Sequence, residues 1–308
     1  MHKNKKIVIV LIVIALVVPT LMFSGSRYFL NRGVGLMDES PERARTYLKI
    51  SSILNPLSGE AYIYRARTFY DEDELVYYLP YVTLPEVPEE AIRDYRKAIS
   101  RNFNNYEAYR DLGRFYFSKA VYYGTFTYED DKARKYTEKT EKYLVKANKE
   151  EVYPHDYYRI GYAILSTHED SDLAIKYFQK LIEKEPNNAL AHAGIGQAYN
   201  LKERYGKAIS YFEESLELNP NPLAYRGMAE AYYKLTENPR VAITYYRKSR
   251  ALDWPLYECY YNLSLMYAEL NDRDSAEHYL NRLRDVGAYS VFESKINNSP
   301  SLIELNLN

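Results

Sequence analysis

Residues Ala189–Pro220 read ALAHAGIGQAYNLKERYGKAISYFEESLELNP, and this stretch decides the fold. Gly196 lies three residues before Tyr199, and Ala208 lies four residues before Phe212. A small residue on a first helix lets a second helix approach closely, and Ala208 offers the second helix's small contact at the same crossing. Phe212 shares a helix face with Ala208 and points toward whatever follows. Pro220 stops the second helix.

The pattern recurs. Ala174, Ala208, Ala242 and Ala276 are spaced by 34, as are Tyr177, Tyr211, Tyr245 and Tyr279. Phe178, Phe212, Tyr246 and Leu280 keep the same interval, and so do Pro186, Pro220 and Trp254. One period earlier, Thr140, Tyr143, Leu144 and Ala147 stay in register. Upstream in each unit, Gly113, Gly161, Gly196, Ala229 and Ser264 each precede Tyr116, Ile164, Tyr199, Tyr232 and Tyr267 by three residues. A helix pair of this kind leaves an apolar face that only a neighbouring pair can bury.

These residues resemble the tetratricopeptide repeat. The match at Ile195, Gly196, Tyr199, Ala208, Phe212 and Pro220 is close, with departures at His192, where the family often has Trp, and at Ser215, where it often has a second Ala. The likeness is strong over residues 156–284 and readable from Ala44, with Ala91, Tyr95 and Ala98 marking one further second helix. It implies an all-α, right-handed superhelical solenoid of about 6–7 helix pairs over residues 25–285, closed by a capping helix and a short frayed tail in 286–308. The first unit's leading helix is expected near residues 25–36. Two intervals exceed the period, Ala44 to Ala91 by 13 residues and Ala91 to Thr140 by 15. They place insertions at about 71–88 and 117–131, between first and second helices.

Lys3, Lys5 and Lys6 precede an apolar run from Ile7 to Val18, then Pro19, Thr20 and Leu21–Phe23, with Arg27 after it. Ile7–Phe23 makes about 25 Å of helix, slightly short of a bilayer core. The expectation is a cytoplasmic N-terminus over residues 1–6 and a transmembrane anchor over 7–24. A single-pass inner-membrane protein with its solenoid facing the periplasm would follow. A cleaved signal peptide ending near Ser24-Gly25-Ser26 is the competing reading.

The 308 residues carry 41 Lys+Arg against 42 Asp+Glu, a net charge of -1, which offers no electrostatic reason to seek nucleic acid. Tyrosine is conspicuous, with 36 Tyr against 10 Phe and one Trp, as suits a thin, half-wet core with large contact faces. The single cysteine, Cys259, cannot form an intramolecular disulfide.

No catalytic or metal-ligating constellation is legible. There is no phosphate-binding Gly-rich motif with Lys, and Gly33-Val34-Gly35 follows no strand. The histidines His2, His155, His168, His192 and His278 form no metal-binding pair, and His192 reads as a satisfied packing residue. Asn262 and Asn297 begin sequons, the first inside a helix. No cofactor, small-molecule substrate or enzymatic activity is expected.

The resemblance implies a concave groove lined by the first helices, carried here to Tyr64, Arg67 and Tyr70, then Arg110, Arg114 and Phe117. Tyr158, Arg159, Tyr162, Gln197 and Asn200 follow, then Arg226, Glu230, Tyr233, Tyr261 and Asn262. Arg67, Arg110, Arg114 and Arg159 suit an acidic or C-terminal partner peptide, unless they pair with neighbouring carboxylates and only keep the groove soluble. The Lys/Asn/Arg set of the subclass that grips a terminal carboxylate is missing. The insertions form a second surface with Tyr77, Tyr78, Tyr81, Tyr122 and Tyr123, either folded over the solenoid's edge or exposed for a partner. The function so implied is a non-enzymatic scaffold or assembly factor binding other proteins in an envelope machine for outer-membrane assembly, secretion or flagella. The alternative is a membrane-tethered adaptor presenting clients to a protease or synthase.

Overall fold

The computed structural model describes residues 20–69, 89–101, 106–127, 129–150, 153–167, 170–252 and 257–305. Every regular element among the described residues is helical. They divide into two compact units. The described part of the first is 20–69, 89–101, 106–115 and 145–150. That of the second is 116–127, 129–144, 153–167, 170–252 and 257–305.

In the first unit, α1 runs through residues 20–34, followed by α2 (Pro41–Leu54), α3 (Glu60–Arg67) and α4 (Glu89–Ser100). Small residues on α1 let α2 come close. A Cβ on Gly33 would lie 2.6 Å from Leu48. The Ser26 hydroxyl donates to the Ser51 carbonyl at 3.1 Å, and the Ser51 hydroxyl returns a bond to the Ser26 carbonyl at 2.9 Å. Leu30, Leu36, Ala44 and Leu48 form a core with Ala61 of α3.

This packing corrects the expected anchor over 7–24. Among the described residues no helix is long and apolar enough to cross a membrane. Residues 1–19 lie outside the described set, and what is described from Thr20 onward is the leading helix of the first pair, turned inward through Ser26, Leu30 and Gly33. The single-pass inner-membrane, periplasm-facing localisation built on that anchor is overturned with it.

The boundary between the units passes through α5 (Tyr106–Tyr122) and α6 (Asp130–Glu150), joined by a π-helical turn at Tyr123–Thr127. The second unit continues with α7 (Pro154–Ser166) and α8 (Ser171–Lys184), then α9 (Ala189–Leu201) and α10 (Tyr205–Leu218). Next come α11 (Pro222–Thr236), α12 (Pro239–Arg250), α13 (Tyr257–Glu269) and α14 (Arg273–Asp285). Two short helices follow, α15 (Tyr289–Asn297) and α16 (Pro300–Glu304). Side-chain caps start many of these helices. Asp170, Asn188, Asn221, Asn238 and Asp272 each accept a backbone N–H of the first turn, satisfying donors the helix cannot.

The packing rule is a ring wedged between two first helices. Phe212 of α10 is fully buried. A Cβ on Gly196 of its own pair would lie 2.6 Å from the ring, and one on Gly227 of the next pair 2.1 Å. Phe178 sits in the same way between Gly161 and Gly194. Ser215, the departure from the family's small Ala, donates to the Ala189 carbonyl at 2.7 Å, and Ser249, one period on, donates to the Pro222 carbonyl at 2.8 Å. Each serine thus ties a second helix to the first turn of its partner.

Tyrosines form a second, outer seam. Tyr116–Tyr143, Tyr199–Tyr211, Tyr232–Tyr245 and Tyr267–Tyr279 stack with centroids 5.5, 5.5, 5.1 and 5.7 Å apart. Lys139, Lys207 and Lys248 lie over three of these pairs at 4.8, 5.5 and 5.3 Å. Where Ile164 replaces the first-helix tyrosine, Tyr177 donates to Glu141 at 2.7 Å.

The insertion expected at 71–88 lies outside the described residues. The start of the one at 117–131 extends α5, burying Phe117, Ala120 and Val121, and then winds into the π turn. At the C-terminal end α15 buries Phe292 and Ile296, and Leu302 of α16 is fully buried.

Phe212→Ala is expected to destabilise the protein by about 3–5 kcal/mol. Gly227→Ala is expected to cost about 1–3 kcal/mol through overpacking. Gly206→Ala, with nothing within 4 Å of the added Cβ, should raise stability by up to about 1 kcal/mol. Urea midpoints of the three variants would test the ranking.

Candidate functional site

Four successive first helices of the second unit, α7, α9, α11 and α13, face a common cavity of about 270 Å³. Its walls are Tyr162, Leu165 and Ser166 from α7, Gln197 and Leu201 from α9, Arg226 and Glu230 from α11, and Glu258 from α13. Gly124 and Thr125 of the π turn close one side. Gly124 has no substitute there, since a Cβ would fall 2.1 Å from the Ser166 carbonyl oxygen. Helix α15 packs against the same turn.

Polar bonds between first helices shape the walls. Arg226 makes an ion pair with Glu258, both largely buried. Gln197 donates through Nε2 to Glu230 at 3.3 Å, and Asn200 through Nδ2 to the Gly227 carbonyl at 2.9 Å. Asn200 Oδ1 is buried without a hydrogen-bond partner. Burial pushes the Glu230 carboxyl above the ordinary carboxylate range, against the pull of Arg226 and with the Glu258 charge adding to it. Burial likewise raises the phenols of Tyr158, Tyr162 and Tyr246, and it raises the Cys259 thiol to about 12. A thiol so protonated and so enclosed is an inert packing group.

The expected groove residues divide. Tyr162, Gln197, Arg226 and Glu230 come together on the cavity, with Tyr158 stacked behind Tyr162 at 5.8 Å and Phe117 edge-on to it at 6.4 Å. Farther along, Tyr233 donates to Glu269 at 2.7 Å and Tyr261 stacks on Phe292 at 5.3 Å, while Asn262 is half-buried. In the first unit, Arg67 binds Asp111 at 2.9 Å and Glu107 at 3.1 Å, and lies 5.9 Å from the ring centre of Tyr64. Arg110 lies over Tyr106 at 5.4 Å, and Arg114 is half-buried. Arg159 is buried and binds Asp156 of its own helix at 3.0 Å. Arg67 and Arg159 are thus matched by carboxylates of the chain itself.

Tyr70 of the groove and Tyr77, Tyr78 and Tyr81 of the second surface lie outside the described residues. Tyr122 and Tyr123 are half-buried, packed edge to face at 5.4 Å, with Tyr123 stacked on Tyr136 at 5.5 Å. His192 faces Glu214 at 3.0 Å, its Nε2 buried without a partner. Glu258, Gly124 and Thr125 escaped the sequence reading. A search for opposite charges about one repeat apart on successive first helices would have found Arg226 and Glu258, 32 residues apart.

Asp156 is fully buried against Arg159. Asp156→Ala should therefore destabilise the protein by about 3–5 kcal/mol, because it strands a buried charge, read as a lowered urea midpoint. Glu230 gives the opposite sign. A carboxyl that holds its proton more tightly when folded adds stability below its unfolded pKa and loses it as pH rises through the folded one. Glu230→Gln is expected to raise stability at neutral pH and to flatten its pH dependence across the mildly acidic range, measured by denaturant midpoints at a series of pH values.

Comparison with known proteins agrees with this architecture. Tetratricopeptide-repeat family models match residues 157–188, 189–222 and 257–283. A TPR repeat-containing protein of Methanocaldococcus jannaschii is 34% identical over 103 residues, 33% of this chain and 26% of that protein, so the chain spans about a quarter of its length. The crystal structure of a tetratricopeptide repeat protein from Parabacteroides merdae superposes with a TM-score of 0.64 at 17% identity, covering 92% of this chain and all of that one (100%). The human IFIT1 dimer, solved with m7Gppp-AAAA, superposes with a TM-score of 0.55 at 15% identity, over 87% of this chain and 60% of that one. At such identities both likenesses concern the fold alone. The chain carries tetratricopeptide repeats over residues 157–188, 189–222 and 257–283.

Proposed function

We propose that the protein is a protein-interaction scaffold whose second unit holds an extended partner segment along its first-helix face. The observation that carries this reading is the cavity walled by four successive first helices, with Tyr162, Gln197, Arg226 and Glu230 converging on it. Half-buried tyrosines and a buried arginine are the side chains on which interface energy concentrates. No step of chemistry is required of these residues. Their pKa shifts follow from burial and from one another, as in a structural network.

An acidic partner on the groove arginines is not part of the proposal, because Arg67 and Arg159 already hold carboxylates of the chain. An assembly role remains the most economical use of such a surface, since a repeat array offers contact area rather than a reaction centre.

A photo-crosslinking residue at Gln197, activated in living cells, is expected to give discrete protein adducts. The same residue at Tyr211, on the outer tyrosine seam, should give none. Adducts at Tyr211 alone would move the interaction to the outer seam and defeat the groove reading.

A further inference from the structure

The cavity has a charge imbalance that selects its guest. One arginine and two glutamates line it. Arg226 is taken by Glu258. Glu230 is left with an amide donor, Gln197, at 3.3 Å. A further cation acting on it, Lys295 of α15, is not a wall residue and lies over the rings of Tyr261 and Phe292 at 5.7 and 5.5 Å. An anion entering the cavity would meet the Glu230 carboxylate, and a neutral group would add nothing to the pull of Arg226 and the Gln197 amide on it.

The walls also suit a guest with a charged head and an apolar stem. Tyr162, Leu165 and Leu201 supply an apolar flank, while Thr125, Ser166 and Gln197 supply hydroxyl and amide groups beside the carboxylate. The volume, about 270 Å³, falls below the range of drug-sized ligand sites, roughly 300–1,000 Å³, and is of the order of one long side chain.

Resting on the groove reading above, we propose that this cavity receives a lysine or arginine side chain from the partner segment, its cationic head against Glu230 and its stem along Tyr162, Leu165 and Leu201. Long basic side chains bury their methylenes against apolar surface while the head keeps polar contacts. A charge-assisted bond to a partly buried carboxylate is stronger than a neutral one. The same geometry sets the pH response. Glu230 is titratable, and the charged or titratable groups acting on it are Arg226 from its own helix, Glu258 from the neighbouring first helix α13, Tyr246 from α12 and Lys295 from α15. A cation in the cavity favours the ionised carboxylate, so binding weakens as pH falls through the raised Glu230 titration.

The test uses short random peptides displayed on phage and selected on the full chain, followed by affinities of the selected peptide in solution. The expected consensus contains one fixed Lys or Arg. Replacing that residue by Met in the peptide should weaken binding by about tenfold or more, as for a desolvated charge pair. Glu230→Gln should weaken the basic peptide similarly and leave the Met peptide unchanged, so the two changes are coupled. The peptide substitution alone reads the pair on the unaltered protein.

Peptides that bind competitively with a Gln197 crosslink but share no basic residue, or show no coupling to Glu230, would overturn the inference and leave the groove reading standing. Absence of any peptide bound at Gln197 would defeat both. A consensus copying a stretch of this chain would overturn the partner assignment in favour of a second copy.

Discussion

The middle of the second unit depends on one contact, a phenyl ring from a second helix pressed between the backbones of two first helices. Phe212 meets Gly196 within its own pair and Gly227 in the next. A single side chain thereby closes a pair and docks its neighbour. The contact is possible only because both first helices lack a Cβ where the ring lies, and dense packing makes any added methylene costly. Phe178, between Gly161 and Gly194, repeats the device one period earlier. These two rings bring α7, α9 and α11 side by side, and their common face forms much of the cavity wall.

Hydrogen bonds follow the same repeat and refine it. Ser215 and Ser249 tie second helices to the first-turn carbonyls of their partners. Asn221 adds a bond to the Ser215 hydroxyl at 2.8 Å while capping α11. These are buried polar groups, affordable because each is satisfied. Along the inner face the ties run between pairs instead, from Gln197 to Glu230 and from Arg226 to Glu258. The inner surface is therefore polar and ordered before any partner arrives, which lowers the entropy a partner must overcome.

Tyrosine does the work that larger hydrophobic cores give to phenylalanine and leucine. A thin array of helix pairs leaves half of each outer aromatic wet, and a phenol tolerates that position where a bare ring exposes more apolar surface. The stacked pairs at 5.1 to 5.7 Å, overlaid in places by lysine ammonium groups, extend the core outward without a continuous greasy face. The excess of tyrosine over phenylalanine in the composition is the trace of this seam.

The helix pairs, their period, their small and aromatic contact positions and their terminating prolines were legible in the sequence, because each rests on a local spacing that a helix converts into a face. Tyr162, Gln197, Arg226 and Glu230 came from the family resemblance, which put them on first helices, and they line the cavity. The apolar run before Thr20 read as a membrane anchor because hydropathy counts residues; whether the helix beyond it packs on another helix depends on Ser26 and Gly33 meeting Ser51 and Leu48, which lie 15 or more residues away. The stretch at 117–131 read as an insertion because it broke the period, and its start extends α5. The pairing of Arg67 with Asp111, of Arg159 with Asp156 and of Arg226 with Glu258, and the closure of the cavity by Gly124, were decided by tertiary structure alone. Charge partners are set by distances between helices, and a sequence specifies those distances only through the packing of the whole unit.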